Sequence, residues 1–287
     1  MIGRASARIA LAAGLVLSLS GQAKPPPATA PVELRRIDCG QLVDQDLAPY
    51  SDTFALNGRR ATFTVPCYLI RHGKTWMLWD AGLPLRYRGA DPATNDGATL
   101  ARPVEASLAQ LGLKPQDITL VGVSHYHWDH SGQLPSFPTS RLLIGARDWA
   151  AIQAGDKRPG LDRAFFAPWT QTGSTQAGGT VDPVSGDRDI FGDGSVVMLD
   201  LPGHSPGHHG LLVRLKDRGP ILLTGDLAHT RDNYDDDGVP VFNTDRAETL
   251  ASFDRFKRIA RNLGATVVIE HVPADIDKLP PFPEPAR

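Results

Sequence analysis

Three imidazoles and a carboxylate fall within six residues, His125-Tyr126-His127-Trp128-Asp129-His130, directly after the apolar run Ile118 to Val123. An apolar run of that length reads as a buried strand, so a core element ends in a dense polar cluster. Imidazoles and carboxylates are rarely buried without partners, which makes core packing a poor reason for the pattern. In extended chain His125 and His127 point the same way, while Asp129 and His130 turn towards a second point. The spacing therefore aims donors at two neighbouring places, as a pair of metal ions requires.

Three more ionisable residues follow predicted strands. His204 lies in Leu201-Pro202-Gly203-His204-Ser205-Pro206-Gly207-His208, Asp226 in Leu223-Thr224-Gly225-Asp226, and His271 in Ile269-Glu270-His271. Loops at strand ends can gather side chains from distant sequence into one pocket. The five histidines and two aspartates are enough for two four- or five-coordinate metals sharing a carboxylate and a water. His208 and His209 read as local hydrogen-bonding groups. His72, in a hairpin turn, and the run Asp235 to Asp237 read as solvated.

The strands expected around these motifs are Ala61–Val65, Tyr68–Arg71, Lys74–Trp79, Ile118–Val123, Leu142–Ile144, Val196–Leu201, Leu211–Leu215, Ile221–Thr224 and Thr266–Ile269. Helices are expected from Pro103 to Gly112, after Asp148, and from Asp245 to Gly264. The last carries Leu250, Phe253, Phe256, Ile259 and Leu263 on one face. Strands dominate each half and helices punctuate them, which suggests two sheets packed face to face with helices outside. Residues 154–190 are the least regular stretch, rich in Gly, Thr, Gln and Pro.

Arg4 and Arg8 precede the apolar run Ile9 to Leu19, and Gly21-Gln22-Ala23 offers small residues for cleavage. We read residues 1–23 as a signal peptide, 24–31 as a Pro/Ala-rich leader and 32–287 as one domain. The apolar run is too short for a comfortable membrane span, so the cleaved chain is expected to be exported, periplasmic or secreted, without stable membrane insertion. At 41% apolar and 22% charged the composition is ordinary for a globular domain, and no later break in it argues for a second. The formal charge of −2, with no Lys/Arg block, argues against a nucleic-acid partner. Cys39 and Cys67 either bridge or sit as two small buried thiols; without a Cys-x-x-Cys partner neither reads as a metal ligand.

With HxHxDH, the Pro-Gly-His motif, Asp226 and His271 in that order, the chain resembles the metallo-β-lactamase superfamily over roughly residues 32–280. Within it, the match is to the N-acyl homoserine lactonases, which quench quorum signals. The resemblance implies a four-layer αββα sandwich of the α/β class. It places one metal on His125, His127 and His204, the other on Asp129, His130 and His271, and a bridging carboxylate on Asp226. Asp80, in an Asp-x-Gly turn, is implied to orient ligands. Zinc is the default, and iron, cobalt or manganese suit the same donors. The implied reaction is hydrolytic opening of an N-acyl homoserine lactone, a metal-bridging hydroxide attacking the carbonyl and Asp129 helping to hold the metal that receives the ring oxygen.

One position departs from the family. Many of its lactonases carry a Tyr three residues after the bridging Asp, where it contacts substrate; here that residue is His229. A histidine can donate a hydrogen bond, but its charge varies with pH as a phenol's does not. Phe165, Phe166 and Trp169 are candidates for an acyl-chain groove or for core packing. The alternatives are another lactone or ester hydrolase of the superfamily, or an exported metallo-β-lactamase, whose HxHxDH subclass lacks the bridging Asp. Glyoxalase II needs a helical domain that the residues after His271 have no room for. Neither the flavin domain of diiron oxygen reductases nor the basic exosites of nucleic-acid-processing members are found.

Overall fold

The computed structural model describes residues 30–170 and 179–287, with Met1 and Gly3. The signal peptide and nearly all of the leader expected at the N-terminus lie outside the described residues. So does part of the irregular stretch, 171–178.

Twelve strands form two sheets among the described residues. They are β1 Val32–Asp46, β2 Arg60–His72, β3 Thr75–Trp79, β4 Ala98–Thr99, β5 Ile118–Gly122, β6 Arg141–Gly145, β7 Val181–Val184, β8 Arg188–Asp189, β9 Val196–Asp200, β10 His209–Leu215, β11 Gly219–Leu223 and β12 Thr266–Val268. The first sheet runs β4-β1-β2-β3-β5-β6-β7 and the second β12-β11-β10-β9-β8. Helices α1 Val104–Gln110, α2 Trp128–Ser131, α3 Ala146–Ala154, α4 Ala167–Thr170, α5 Arg231–Asp236, α6 Arg246–Leu263 and α7 Pro273–Ile276 punctuate them.

Period-two alternation builds the layers. Tyr68, Ile70, Met77 and Trp79 of the first sheet face Leu211, Val213, Ile221 and Leu223 of the second, forming the core between the sheets. The intervening residues Cys67, Leu69 and Leu78 point outwards under α1 and α3, against Leu108 and Ile152. On the far side Leu212 and Leu222 meet Phe253 and Phe256 of α6. The order is helix, sheet, sheet, helix, the four-layer sandwich expected.

Local differences have physical reasons. β1 was not expected, because its charged residues and two register shifts, at Asp38/Gln41 and Leu42/Gln45, break the alternation. β2 is one strand rather than two; Pro66 is tolerated beside the first of those shifts, where it pairs with Asp38. α3 opens at Ala146, ahead of Asp148. Asp245 caps α6 by accepting from the Glu248 amide at 2.8 Å, and Gly264 ends it in the left-handed region. Asp235 and Asp236 close α5 rather than a loop, and the run 235–237 is exposed as expected. Cys39 and Cys67 form a disulfide. No helix among the described residues is long and apolar enough to cross a membrane.

Candidate metal centre

All seven expected donors converge where the two sheets meet. His125, His127, Asp129 and His130 leave the end of β5 in the first sheet. His204 follows β9, Asp226 follows β11 and His271 follows β12, all in the second. The donor atoms of His125, His127, His204 and Asp226 lie within 4.8 Å of one another, and so do those of Asp129, His130, Asp226 and His271. Asp226 belongs to both groups, and its two oxygens are divided between them. Oδ2 lies 3.6 Å from His125 Nε2 and 3.3 Å from His204 Nε2. Oδ1 lies 3.1 Å from His130 Nε2 and 2.9 Å from His271 Nε2.

The donor set fits a pair of divalent cations. His125 Nε2 and His130 Nε2, one in each group, are buried and have no hydrogen-bond partner. An orphaned ring nitrogen in a sealed site is costly unless a cation takes its lone pair. His127 Nδ1 and His204 Nε2 face each other at 3.0 Å, both turned into the first group. Burial, reinforced by neighbouring imidazoles, holds His125 and His127 well below the usual histidine range, leaving them in the neutral, ligating form. Burial opposes the charge of Asp226, but the surrounding histidines outweigh it and hold the carboxyl well below its ordinary range.

Outer partners fix the ring orientations. His125 Nδ1 donates to Ser124 Oγ at 3.0 Å, and His271 Nδ1 donates to the Thr64 carbonyl at 2.8 Å. His204 Nδ1 donates to Asn243 Oδ1 at 2.9 Å. The Asn243 amide is itself oriented by donating to Thr249 Oγ1 at 3.1 Å. Asp80 accepts from His130 Nδ1, as the Asp-x-Gly reading implied. His208 is a hydrogen-bonding group, as expected: its Nδ1 donates to the Leu201 carbonyl and its Nε2 accepts from the Asp226 amide, both at 2.9 Å. His209 reaches the carbonyls of Gly207 and Gly186.

The Pro-Gly-His loop is held from below by Asp148, whose oxygens accept from Ser205 Oγ at 2.7 Å and the Gly207 amide at 2.6 Å. Gly145 and Gly207 allow the close approach. A Cβ on Gly145 would lie 1.9 Å from the Gly207 carbonyl oxygen.

A cavity of about 250 Å³ opens over Asp226. Its apolar wall is Leu42, Tyr50, Phe63, Trp128 and Phe242; His127, Asp129, His229 and His271 reach it as well. His229 is buried, its Nε2 3.1 Å from Asp226 Oδ2 and its Nδ1 without a partner. Burial depresses it to about 4, so the ring is neutral at physiological pH.

One open reading is decided and one expectation is corrected. Phe165, Phe166 and Trp169 are buried in the layer outside the first sheet, with Trp169 Nε1 donating to the Ser140 carbonyl at 3.0 Å. They do not line the cavity; of their two readings, core packing holds. His72 is half-buried rather than solvated, stacked on Phe191 at 4.0 Å and 2.8 Å from Asp193. Several site residues went unnoticed in the sequence: Tyr50, Phe63, Phe242, Asn243 and Glu270. Glu270 Oε1 accepts from the Gly225 amide at 3.1 Å, and burial with the charge of Asp80 pushes its carboxyl up to about 8.

Comparison with known proteins agrees with this geometry. The family model of the metallo-beta-lactamase superfamily matches residues 60–271. N-acyl homoserine lactonase AttM of Azorhizobium caulinodans is 32% identical over 238 residues, spanning 76% of this chain and 85% of that protein. AttM of Agrobacterium fabrum is 30% identical over 250 residues, spanning 79% and 89%. A solved N-acyl homoserine lactone hydrolase with N-hexanoyl-L-homoserine at its catalytic metal centre shares the fold, with a TM-score of 0.74 at 22% identity, covering 90% of this chain and 99% of that one. The chain therefore belongs to the metallo-beta-lactamase superfamily and, within it, to the family of the N-acyl homoserine lactonases.

Proposed function

We propose that this metal-dependent hydrolase opens the ring of N-acyl homoserine lactones to give N-acyl homoserines. The observation that carries the reading is the division of Asp226, one oxygen to each histidine group, at the floor of a cavity with an aromatic wall. The lactonases that the chain resembles over most of their length support the choice of substrate.

Two divalent cations bound there supply an activated water at neutral pH and a Lewis acid for the carbonyl oxygen. His125, His127 and His204 with Asp226 Oδ2 would hold one, and Asp129, His130 and His271 with Asp226 Oδ1 the other. Leu42, Phe63 and Phe242 offer an acyl chain an apolar surface beside the polar floor. His229 Nε2 lies against the shared carboxylate, and its unpartnered Nδ1 is left to meet a bound molecule.

Zinc is our assignment for both positions, since imidazole with carboxylate suits it. We place the protein outside the cytosol, in the periplasm or secreted; the Cys39–Cys67 bridge supports this, because disulfides persist in oxidising compartments.

The test is acid release by the purified, metal-loaded protein given hexanoyl and decanoyl homoserine lactones, γ-butyrolactone and a β-lactam. We expect turnover of the acyl homoserine lactones above the rest. Hydrolysis of the β-lactam with no lactone opened would overturn the reading. Asp226→Asn should lose both metal and turnover; full activity with two ions retained would remove Asp226 from its bridging place.

A further inference from the structure

The cavity over Asp226 holds few side-chain hydrogen-bond donors that are not metal ligands. Gln45 Nε2 donates to the carbonyls of Val43 at 3.0 Å and Asp96 at 2.9 Å. His229 Nε2 faces Asp226. The Tyr50 hydroxyl, by contrast, makes no hydrogen bond among the described residues, although Tyr50 lines the same cavity as Asp129 and Asp226.

Tyr50 is also held firmly. Its ring sits 5.1 Å from Phe63, 5.2 Å from Phe242 and 5.0 Å from His229. Its carbonyl accepts from Asn233 Nδ2 at 2.9 Å. Asn233 in turn closes a capping box with Thr230, the neighbour of His229, at 3.0 and 3.2 Å. Ring packing and backbone anchoring thus fix Tyr50 independently relative to the Asp226 segment. Burial, and then the charges of Asp129 and Asp226, push the phenol well above its usual range.

We propose that Tyr50 donates a hydrogen bond that a substrate oxygen receives as charge builds on it during ring opening. The phenol keeps its proton throughout; it stabilises the oxygen without transferring to it. The proposal rests on the ester-hydrolysing reading of the site in its general form, not on the acyl homoserine lactone in particular.

The test compares wild type with Tyr50→Phe, which keeps the ring and its packing. Hexanoyl homoserine lactone and phenyl acetate serve as substrates, and the ring-amide analogue of the lactone, which resists hydrolysis, as a binding probe. We expect Tyr50→Phe to keep its metal, to lose about ten- to hundred-fold in kcat on each substrate the wild type turns over, and to bind the analogue several-fold more weakly. A kcat within about two-fold of wild type, or a loss matched by loss of metal, would overturn the proposal. If wild type cleaves phenyl acetate but not the acyl homoserine lactone, the substrate assignment fails alone, and the ester comparison decides on Tyr50. If it cleaves neither, analogue binding decides: equal affinity in both proteins counts against Tyr50, weaker binding by the variant for it.

Discussion

Asp80 Oδ2 accepts a hydrogen bond from His130 Nδ1 at 2.9 Å, and both side chains are sealed from solvent. The second oxygen of Asp80 accepts from the Ser124 amide at 2.7 Å. One carboxylate therefore orients a ligand ring and pins the chain just before the HxHxDH loop. Asp80→Asn keeps the shape but removes the charge that favours the donating Nδ1. We expect metal affinity to fall about ten- to hundred-fold, measured by competition with a chromophoric chelator. Unchanged affinity would mean that the pair serves only the fold.

The cavity wall yields a second expectation. Phe242 is partly exposed and packs edge-on against Tyr50, so truncating it removes apolar surface without emptying the core. Phe242→Ala should raise KM for decanoyl homoserine lactone several-fold while changing that for the butanoyl compound by less than about two-fold. Equal effects on both would show that the chain lies elsewhere.

Much of the centre was legible in the sequence because HxHxDH packs four donors into six residues, a density of imidazole and carboxylate that core packing seldom tolerates. The αββα order was legible for a similar reason, since β3, β5, β10 and β11 are short and largely apolar. β1 was not, because bulges carry it past two breaks in its alternation. Tyr50 and Phe242 were invisible for another reason. They reach the cavity from loops brought together by pairings such as the Val241 amide to the Pro49 carbonyl, at 2.9 Å, and no local pattern encodes such a contact. Phe165 and Trp169 were ambiguous in the opposite sense: aromatic density in an irregular stretch suits a groove or a core, and here it is core.

The disulfide should support the centre as well as the fold. Cys39 and Cys67 pack on the turn Asp80-Ala81-Gly82, where a Cβ on Gly82 would lie 2.3 Å from Cys39 Cβ. The Ala81 amide in turn donates to the His130 carbonyl at 2.7 Å. Replacing both cysteines by serine should cost about 3–4 kcal/mol of stability in the chain-entropy picture, measured by denaturant unfolding. It should also weaken metal retention, because the turn behind His130 loses its backing. Unaltered metal affinity in a folded but destabilised double variant would separate the two roles.

A pH effect is expected far from the centre. Burial opposes the charge of Asp193, yet hydrogen bonds from Ser195 and His72 prevail and bring its carboxyl down to about 2, against an ordinary 3.8. A depressed carboxyl contributes stability above its unfolded value and loses it as pH falls towards the folded one. Asp193→Asn should therefore destabilise the protein at pH 6 and progressively less below pH 4, checked by urea unfolding across that range. A gap that stayed constant down to pH 3 would refute the assignment.

The donors descend from both sheets, four from one and three from the other. Cation binding is for that reason a mechanical event as well as a chemical one. It laces one rim of the sandwich shut, in a place where no greasy contact could do so without blocking entry. A chelated molecule should fray first along that rim, with amides after β5, β9 and β11 exchanging early while the interior between the sheets stays protected. Shelf life and catalytic competence would then decline together.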